Sequence, residues 1–218
     1  MNHDVNTNHN SPYENQSEVS VYSIDTLPLF FQRLPKKGMG EFDAALAFVF
    51  FHEGVFSDDK DDAGGATAWG WSLRTVRNMD DISGFDLDFD GDIDIADIKL
   101  LKDNPEIAIE LYLIHYWLKY YYDRLPSDIA IKTMDMAVNM GAVQAHKLLQ
   151  RSVWAAGGEH IVDDGIIGKK TLSAIMKCDS ASILSAQRAH ARGFYDLLML
   201  KDPALLKYRS GWHNRAYF

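Results

Sequence analysis

The segment from His52 to Trp71 gathers residue types that suit chemistry on a sugar. Glu53 closes an apolar stretch with helical spacing and has Phe51 and Phe56 as neighbours. Desolvation disfavours a carboxylate and raises its pKa, and a neutral carboxyl is what a general acid for glycosidic cleavage requires. Asp62 follows nine residues later on a turn that can fold back to face the helix end across a cleft. Gly64 and Gly65 let that turn bend at little steric cost. Thr67 adds a hydroxyl, and Trp69 and Trp71 add flat apolar faces of the kind sugar rings stack on. Each has a plainer reading. A helix-end glutamate commonly pairs with a lysine, Asp62 serves as an ordinary turn residue with Asp61 as its rival, and the tryptophans pack in a core. Core packing is the expectation for Trp117. His52 is read as a packed or solvated histidine rather than a modulator of Glu53.

A second cluster runs from Asp86 to Asp97, Asp-Leu-Asp-Phe-Asp-Gly-Asp-Ile-Asp-Ile-Ala-Asp. It fits the EF-hand calcium loop, with oxygens at positions 1, 3 and 5, glycine at 6, an aliphatic residue at 8 and a carboxylate at 12. Asp86, Asp88 and Asp90 are expected to bind one Ca2+ through side chains, Asp92 through its carbonyl, Asp94 through water, and Asp97 to close the site. Gly91 permits the turn and Ile93 is expected to anchor the loop. Six aspartates so close together repel one another unless a cation sits among them. The entering helix of an EF-hand is doubtful, so a structural or stabilising ion is expected rather than a paired sensor.

These clusters need elements to hold them. Phe42, Ala45, Phe48 and Val49 share a face and predict a helix over 42–51, ended by Gly54. Thr67 to Ser72 is short and β-prone, which suggests a small hairpin, and Leu73 to Met79 reads as one or two helical turns. A short helix is expected at Ile95 to Lys102. Asn104-Pro105-Glu106 then starts a helix expected to reach about Tyr122 and to bury Ile109, Leu113, Tyr116 and Trp117. Helices are predicted at Asp128–Met140, Ala142–Trp154, Lys169–Met176 and Ser180–Leu200, with Gly141 and Gly157 as C-caps. Pro203 to Phe218 reads as partly helical. The fold class is mainly α (α+β), a helical lobe with a small β-hairpin beside a cleft. The expected organisation is a tail over 1–38, a catalytic lobe over 39–125 carrying the 86–97 insertion, and a helical lobe over 126–218.

Composition narrows the function. The chain of 218 residues is 47% hydrophobic, with 5 Trp, 10 Tyr and 11 Phe, enough for a core without staples. One cysteine, Cys178, rules out an intramolecular disulfide and a thiolate zinc site and reads as a small buried hydrophobe. Much of the net charge of −9 sits in the aspartate loop, and no basic stripe suggests nucleic acid. Polar residues dominate the first twenty, with no pattern of a secretory signal. No apolar run is long enough to span a membrane. Leu27, Leu29, Phe30 and Phe31 are expected to form a strap on the body, with a docking peptide as the alternative, and Lys36 to Gly40 a hinge.

The ordered set Glu53-Gly54, Asp62, Gly64-Gly65, Thr67 and Gly70 resembles glycoside hydrolase family 108, the N-acetylmuramidases of phages and bacteria that include secretion activators. It is also similar to the Glu…Asp…Thr arrangement of tailed-phage lysozymes. The likeness continues through Tyr116-Trp117, Asp135 to Gly141, Leu149-Gln150, Asp164-Gly165, Gly168, Thr171-Leu172, Arg192, Phe194-Tyr195 and Gly211-Trp212 with Arg215. It covers roughly 40–218 outside the insertion. Val55 stands for the usual second glycine and Phe56 for the usual tyrosine, and neither change touches a carboxylate.

The resemblance implies a lysozyme-like fold and cleavage of the β-1,4 bond between N-acetylmuramic acid and N-acetylglucosamine. Glu53 would protonate the leaving oxygen, and Asp62 and Thr67 would position water on the opposite ring face. A retaining route with Asp62 as nucleophile stays open. Gly65, Trp69, Trp71 and Asn139 are the expected substrate contacts. The implied partner is bacterial peptidoglycan, reached by a monomer made in the cytoplasm and released through a holin-type pore or an exporter. A phage endolysin leads. The alternatives are a wall-remodelling muramidase of a secretion system and a non-catalytic calcium- or peptidoglycan-binding protein.

Overall fold

The computed structural model describes residues 40–53, 56–57, 66–79, 82 and 84–218, with the side chains of 51–53 and 56–57 left outside that description. The expected strap and hinge before Gly40 lie outside it, as do Asp61, Asp62, Gly64 and Gly65.

Helix α1 (Gly40–Glu53) buries Phe42, Ala45, Leu46 and Val49. These are positions i, i+3, i+4 and i+7, the stripe that one helix face turns to a core. Leu46 takes the place expected for Phe48, which is only half-buried and meets the Phe218 ring edge-on at 5.6 Å. A small antiparallel sheet follows, β1 (Phe56–Ser57), β2 (Thr67–Ala68) and β3 (Trp71–Ser72), in spatial order β1-β2-β3. The expected hairpin is its second half. Ala68 pairs with Trp71 across a two-residue turn, in which Trp69 has φ 51° and Gly70 φ 84°. Positive φ at both central residues is the type I′ arrangement, whose twist matches that of paired strands.

Ser72 caps α2 (Leu73–Arg77) by accepting from Thr75 N. The chain then runs through the aspartate loop into α3 (Ile95–Asp103) and α4 (Pro105–Tyr112). Here the expected single helix to Tyr122 is corrected. From Leu113 to Leu118 the helix widens to π geometry, and after Tyr121, at φ 58°, a 3₁₀ turn spans Tyr122–Arg124. A π turn holds more residues than an α turn, so the inward face changes phase. Tyr112, His115 and Trp117 become buried, whereas Leu113 and Tyr116 are only half-buried.

The second half is a bundle of α5 (Ser127–Met140), α6 (Ala142–Ala155), α7 (Lys169–Met176), α8 (Ser180–Lys201) and α9 (Arg209–Tyr217), with a 3₁₀ turn at Pro203–Tyr208. Helix α5 is its centre and packs on α1, α6 and α8. The bounds agree closely with the hydrophobic periodicity. Gly141 ends α5 at φ 87°, and Gly157 follows α6 at φ 79°. One buried charge cluster ties the last helix to this centre. Asp135, with no exposed surface, accepts from Arg215 Nε at 2.7 Å and from Lys132 Nζ at 3.3 Å. The Lys132 ammonium also donates to the Arg215 carbonyl. One continuous core joins the two halves, and the arrangement is a lysozyme-like α+β fold.

Candidate active site

Glu53 is the last residue of α1, and β1 starts three residues later. Strand β1 pairs with β2, setting Ser57 opposite Thr67. The strand that follows the helix of the proposed acid therefore pairs with the strand that carries the proposed hydroxyl. Thr67 is half-buried. The Glu53 side chain, Asp62 and Gly65 lie outside the described residues.

Trp69 is held at three points. Its Nε1 donates to the Lys102 carbonyl at 3.1 Å, its carbonyl accepts from the Tyr112 hydroxyl at 2.9 Å, and its ring lies 5.3 Å from Phe50. The tight turn therefore fixes the indole against α1, α3 and α4, leaving it half-buried.

Trp71 corrects an expectation. It is 1% exposed and sits among Phe85, Tyr112, His115 and Tyr116, with ring centroids at 4.9, 4.6, 6.2 and 5.6 Å. A ring so enclosed has no face for a sugar. Period-two alternation in a strand sends neighbours to opposite faces, and in β3 it turns Trp71 into the core. Trp117 is buried as expected, with its ring 5.6 Å from Phe42. Asn139 lies exposed in the last turn of α5, where its Oδ1 accepts from the Tyr195 hydroxyl at 2.8 Å. Tyr195 is buried against Trp212, so α8 and α9 fix the orientation of that amide. Sequence reasoning noted Tyr195 only as part of a family likeness. A tyrosine hydroxyl that orients an amide 56 residues away leaves no periodic trace.

The aspartate loop is ordered by its own turns. Gly91 N donates to Asp86 Oδ2, Asp90 N to Asp88 Oδ1, and Asp92 N to Asp90 Oδ1. Gly91 has φ 93°, which only glycine adopts freely. Asp97 is 2% exposed, and its two oxygens accept from Leu87 N and Asp94 N. Asp94 caps α3 through Ala96 N, a role beyond the water-mediated one expected of it. Oxygens of Asp86, Asp88 and Asp97 lie within 4.8 Å of one another, while Asp90 and Asp92 stand outside that trio. Asp86 Oδ1 is buried with no hydrogen-bond partner among the described residues. Burial, with Asp90, Asp97 and Asp86 nearby, raises the Asp88 pKa, and the charge of Asp90 chiefly raises that of Asp92. Converging carboxylates, an orphaned buried oxygen and raised pKa values all fit a hard cation, which takes oxygen ligands. Ile93 packs on the core, and its carbonyl accepts from Arg77 Nε at 2.8 Å. Between α2 and α3 the described residues form no entering helix.

Residues 46–141 match the family Glycosyl hydrolase 108. The protein is a glycoside hydrolase of the lysozyme type. Residues 144–217 match the family Predicted Peptidoglycan domain, so the hydrolase acts on peptidoglycan. The two matches meet near Gly141, at the junction of α5 and α6. The fold is similar to the solved structure of SagA from Brucella abortus, at 29% identity and a TM-score of 0.63, over 82% of this chain and 90% of that one. No curated protein matches. Among the described residues, no helix is long and apolar enough to cross a membrane.

Proposed function

We propose that this hydrolase is an N-acetylmuramidase that cuts the β-1,4 bond between N-acetylmuramic acid and N-acetylglucosamine, with Glu53 as its general acid. The observation that carries this reading is the placement of Glu53 at the end of α1, directly before the sheet that bears Thr67, inside the segment matching the glycosyl hydrolase family. In this mechanism Glu53 protonates the leaving oxygen while Asp62 and Thr67 direct water at the opposite face of the ring. Trp69 and Asn139, held by Lys102 and Tyr195, present fixed groups to the glycan. The test is digestion of purified sacculi with mass analysis of the new reducing ends. Muramic acid ends are expected from the wild type and none from Glu53→Gln, which keeps its fold. Undiminished turnover by that variant removes Glu53 from the role, and glucosamine ends remove the bond assignment.

The same enzyme is read as a monomeric phage endolysin released to the wall through a holin-type pore. Cytoplasmic expression should lyse cells only when such a pore is opened. Lysis without one favours export and wall remodelling instead.

We further propose that the loop from Asp86 to Asp97 binds one Ca2+ through Asp86, Asp88, Asp90, Asp97 and the Asp92 carbonyl. A cation there would hold the link between the sheet and α3. Saturating calcium about a hundredfold above Kd stabilises by about 2.7 kcal/mol, equivalent to roughly 5–10 °C in Tm for a domain of this size. Asp86→Ala with Asp88→Ala should abolish that rise. An unchanged Tm on both chelation and calcium addition ends the proposal.

A further inference from the structure

The second half of the chain holds an open groove between the segment 159–166 and helix α7. Its walls carry two kinds of group. Lys169, Lys170 and Lys177 supply cations, and Val162 and Ile166 supply apolar surface that is 74% and 66% exposed. Such exposure is ordinary on a mobile loop, but this loop is clamped. Buried Gln150 donates from Nε2 to Asp164 Oδ1, the Ile166 carbonyl and Thr171 Oγ1, while its Oε1 accepts from Gly165 N. His146 Nδ1 bonds the Gly165 carbonyl at 2.9 Å, and Arg151 Nε pairs with Asp163 at 2.7 Å. Gly165 has φ 82°, and a Cβ there would lie 2.9 Å from the Val143 carbonyl. The backbone is therefore fixed on one side while two aliphatic side chains are held out on the other.

The charges do not cancel. Asp164 is engaged by Gln150 and Ile166 N, and Glu159 pairs with Lys177 at 3.6 Å. Lys169 and Lys170 belong to no ion pair among the described residues. They stand at the first two positions of α7, after Gly168, in a protein whose net charge is −9. A local excess of cations beside exposed methyl groups complements an anionic peptide with small apolar side chains.

The geometry points to this groove as the seat of the acidic, alanine-bearing peptide stem of peptidoglycan. This inference rests on peptidoglycan being the substrate, but assigns it a second point of attachment, separate from the bond that is cut. Val162 and Ile166 pack on alanine methyls, and Lys169 and Lys170 face stem carboxylates. Holding the stem in the helical half keeps the enzyme on the wall between cuts, since two linked contacts raise effective concentration without strengthening either one.

The experiment uses the full chain with Glu53→Gln, sedimented in the cold with purified sacculi, so that binding is read without degradation. Lys169→Ala with Lys170→Ala should weaken binding roughly tenfold at low salt, because two exposed charge contacts are lost. Lys201→Ala with Lys207→Ala, an equal charge loss at exposed positions outside the groove, should change nothing. Walls stripped of their stems by an amidase should bind the unaltered groove as weakly as intact walls bind the double variant. The inference is overturned if the double variant holds intact walls as well as its parent, or if stripped walls bind as well as intact ones. A soluble stem tetrapeptide gives a reading that needs no variant: amide shifts should cluster at Ile166, Lys169 and Lys170, and shifts elsewhere or none overturn the inference. Reducing-end release by the wild type tests the hydrolase reading alone, so the two can fail separately.

Discussion

Replacing Trp71 with alanine separates a core residue from a substrate platform. Trp71 is 1% exposed and touches four aromatic neighbours, the nearest with ring centroids at 4.6 and 4.9 Å. Truncating a buried tryptophan costs about 3–5 kcal/mol in lost transfer and cavity terms, and the loss of aromatic pairs worth about 0.5–1.5 kcal/mol each places it at the upper end. At about 2–4 °C per kcal/mol for a domain of this size, Tm should fall by roughly 10–20 °C. Trp71→Phe should cost much less. The indole Nε1 has no hydrogen-bond partner among the described residues, so only the volume of the second ring is lost. Thermal unfolding gives the stability, and wall digestion below the lowered Tm should give a KM near wild type. The reasoning fails if Trp71→Ala keeps its Tm and raises KM instead, since the ring would then be meeting sugar rather than Phe85 and Tyr112.

Acid should weaken the joint between the two halves through His146. Burial holds its pKa down at about 4, below the ordinary 6.5. A carbonyl can only accept, so Nδ1–H donates to Gly165, and Nε2 accepts from the Tyr122 hydroxyl at 2.7 Å. The unfolded chain takes up this proton first, so the contribution is complete above about pH 6.5 and lost as pH falls towards 4. It amounts to about 3 kcal/mol in all, and about 2 kcal/mol by pH 5. Urea unfolding between pH 7 and 5 should show that slope, and His146→Gln should flatten it; His190, also lowered by burial, leaves a smaller slope of the same sign. Asp135→Asn should cost about 3–5 kcal/mol, because Lys132 and Arg215 would remain buried without their counter-charge. Hydrogen exchange should then show α9 opening first, and uniform protection across α5 and α9 would refute this role.

The sequence alone determined whatever depends on local spacing. Apolar residues at helical intervals set α5, α6, α7 and α8 to within a residue or two, because amphipathic periodicity is enforced by the same core that forms. The order Glu53, Asp62, Gly64-Gly65 and Thr67 carried the family resemblance, and Gly91 already marked the turn seen in the aspartate loop. Only the tertiary structure decided which side of an element faces inward. Trp69 and Trp71 are two residues apart and equally aromatic, yet the turn that holds Trp69 leaves it half-buried while β3 buries Trp71. The widening of the helix after Tyr112 likewise exchanged Leu113 and Tyr116 for His115 in the core. The contacts that orient Asn139 and clamp the loop at Gly165 join residues 56 and 15 positions apart. Such bonds depend on how helices cross, and one-dimensional spacing carries no record of that.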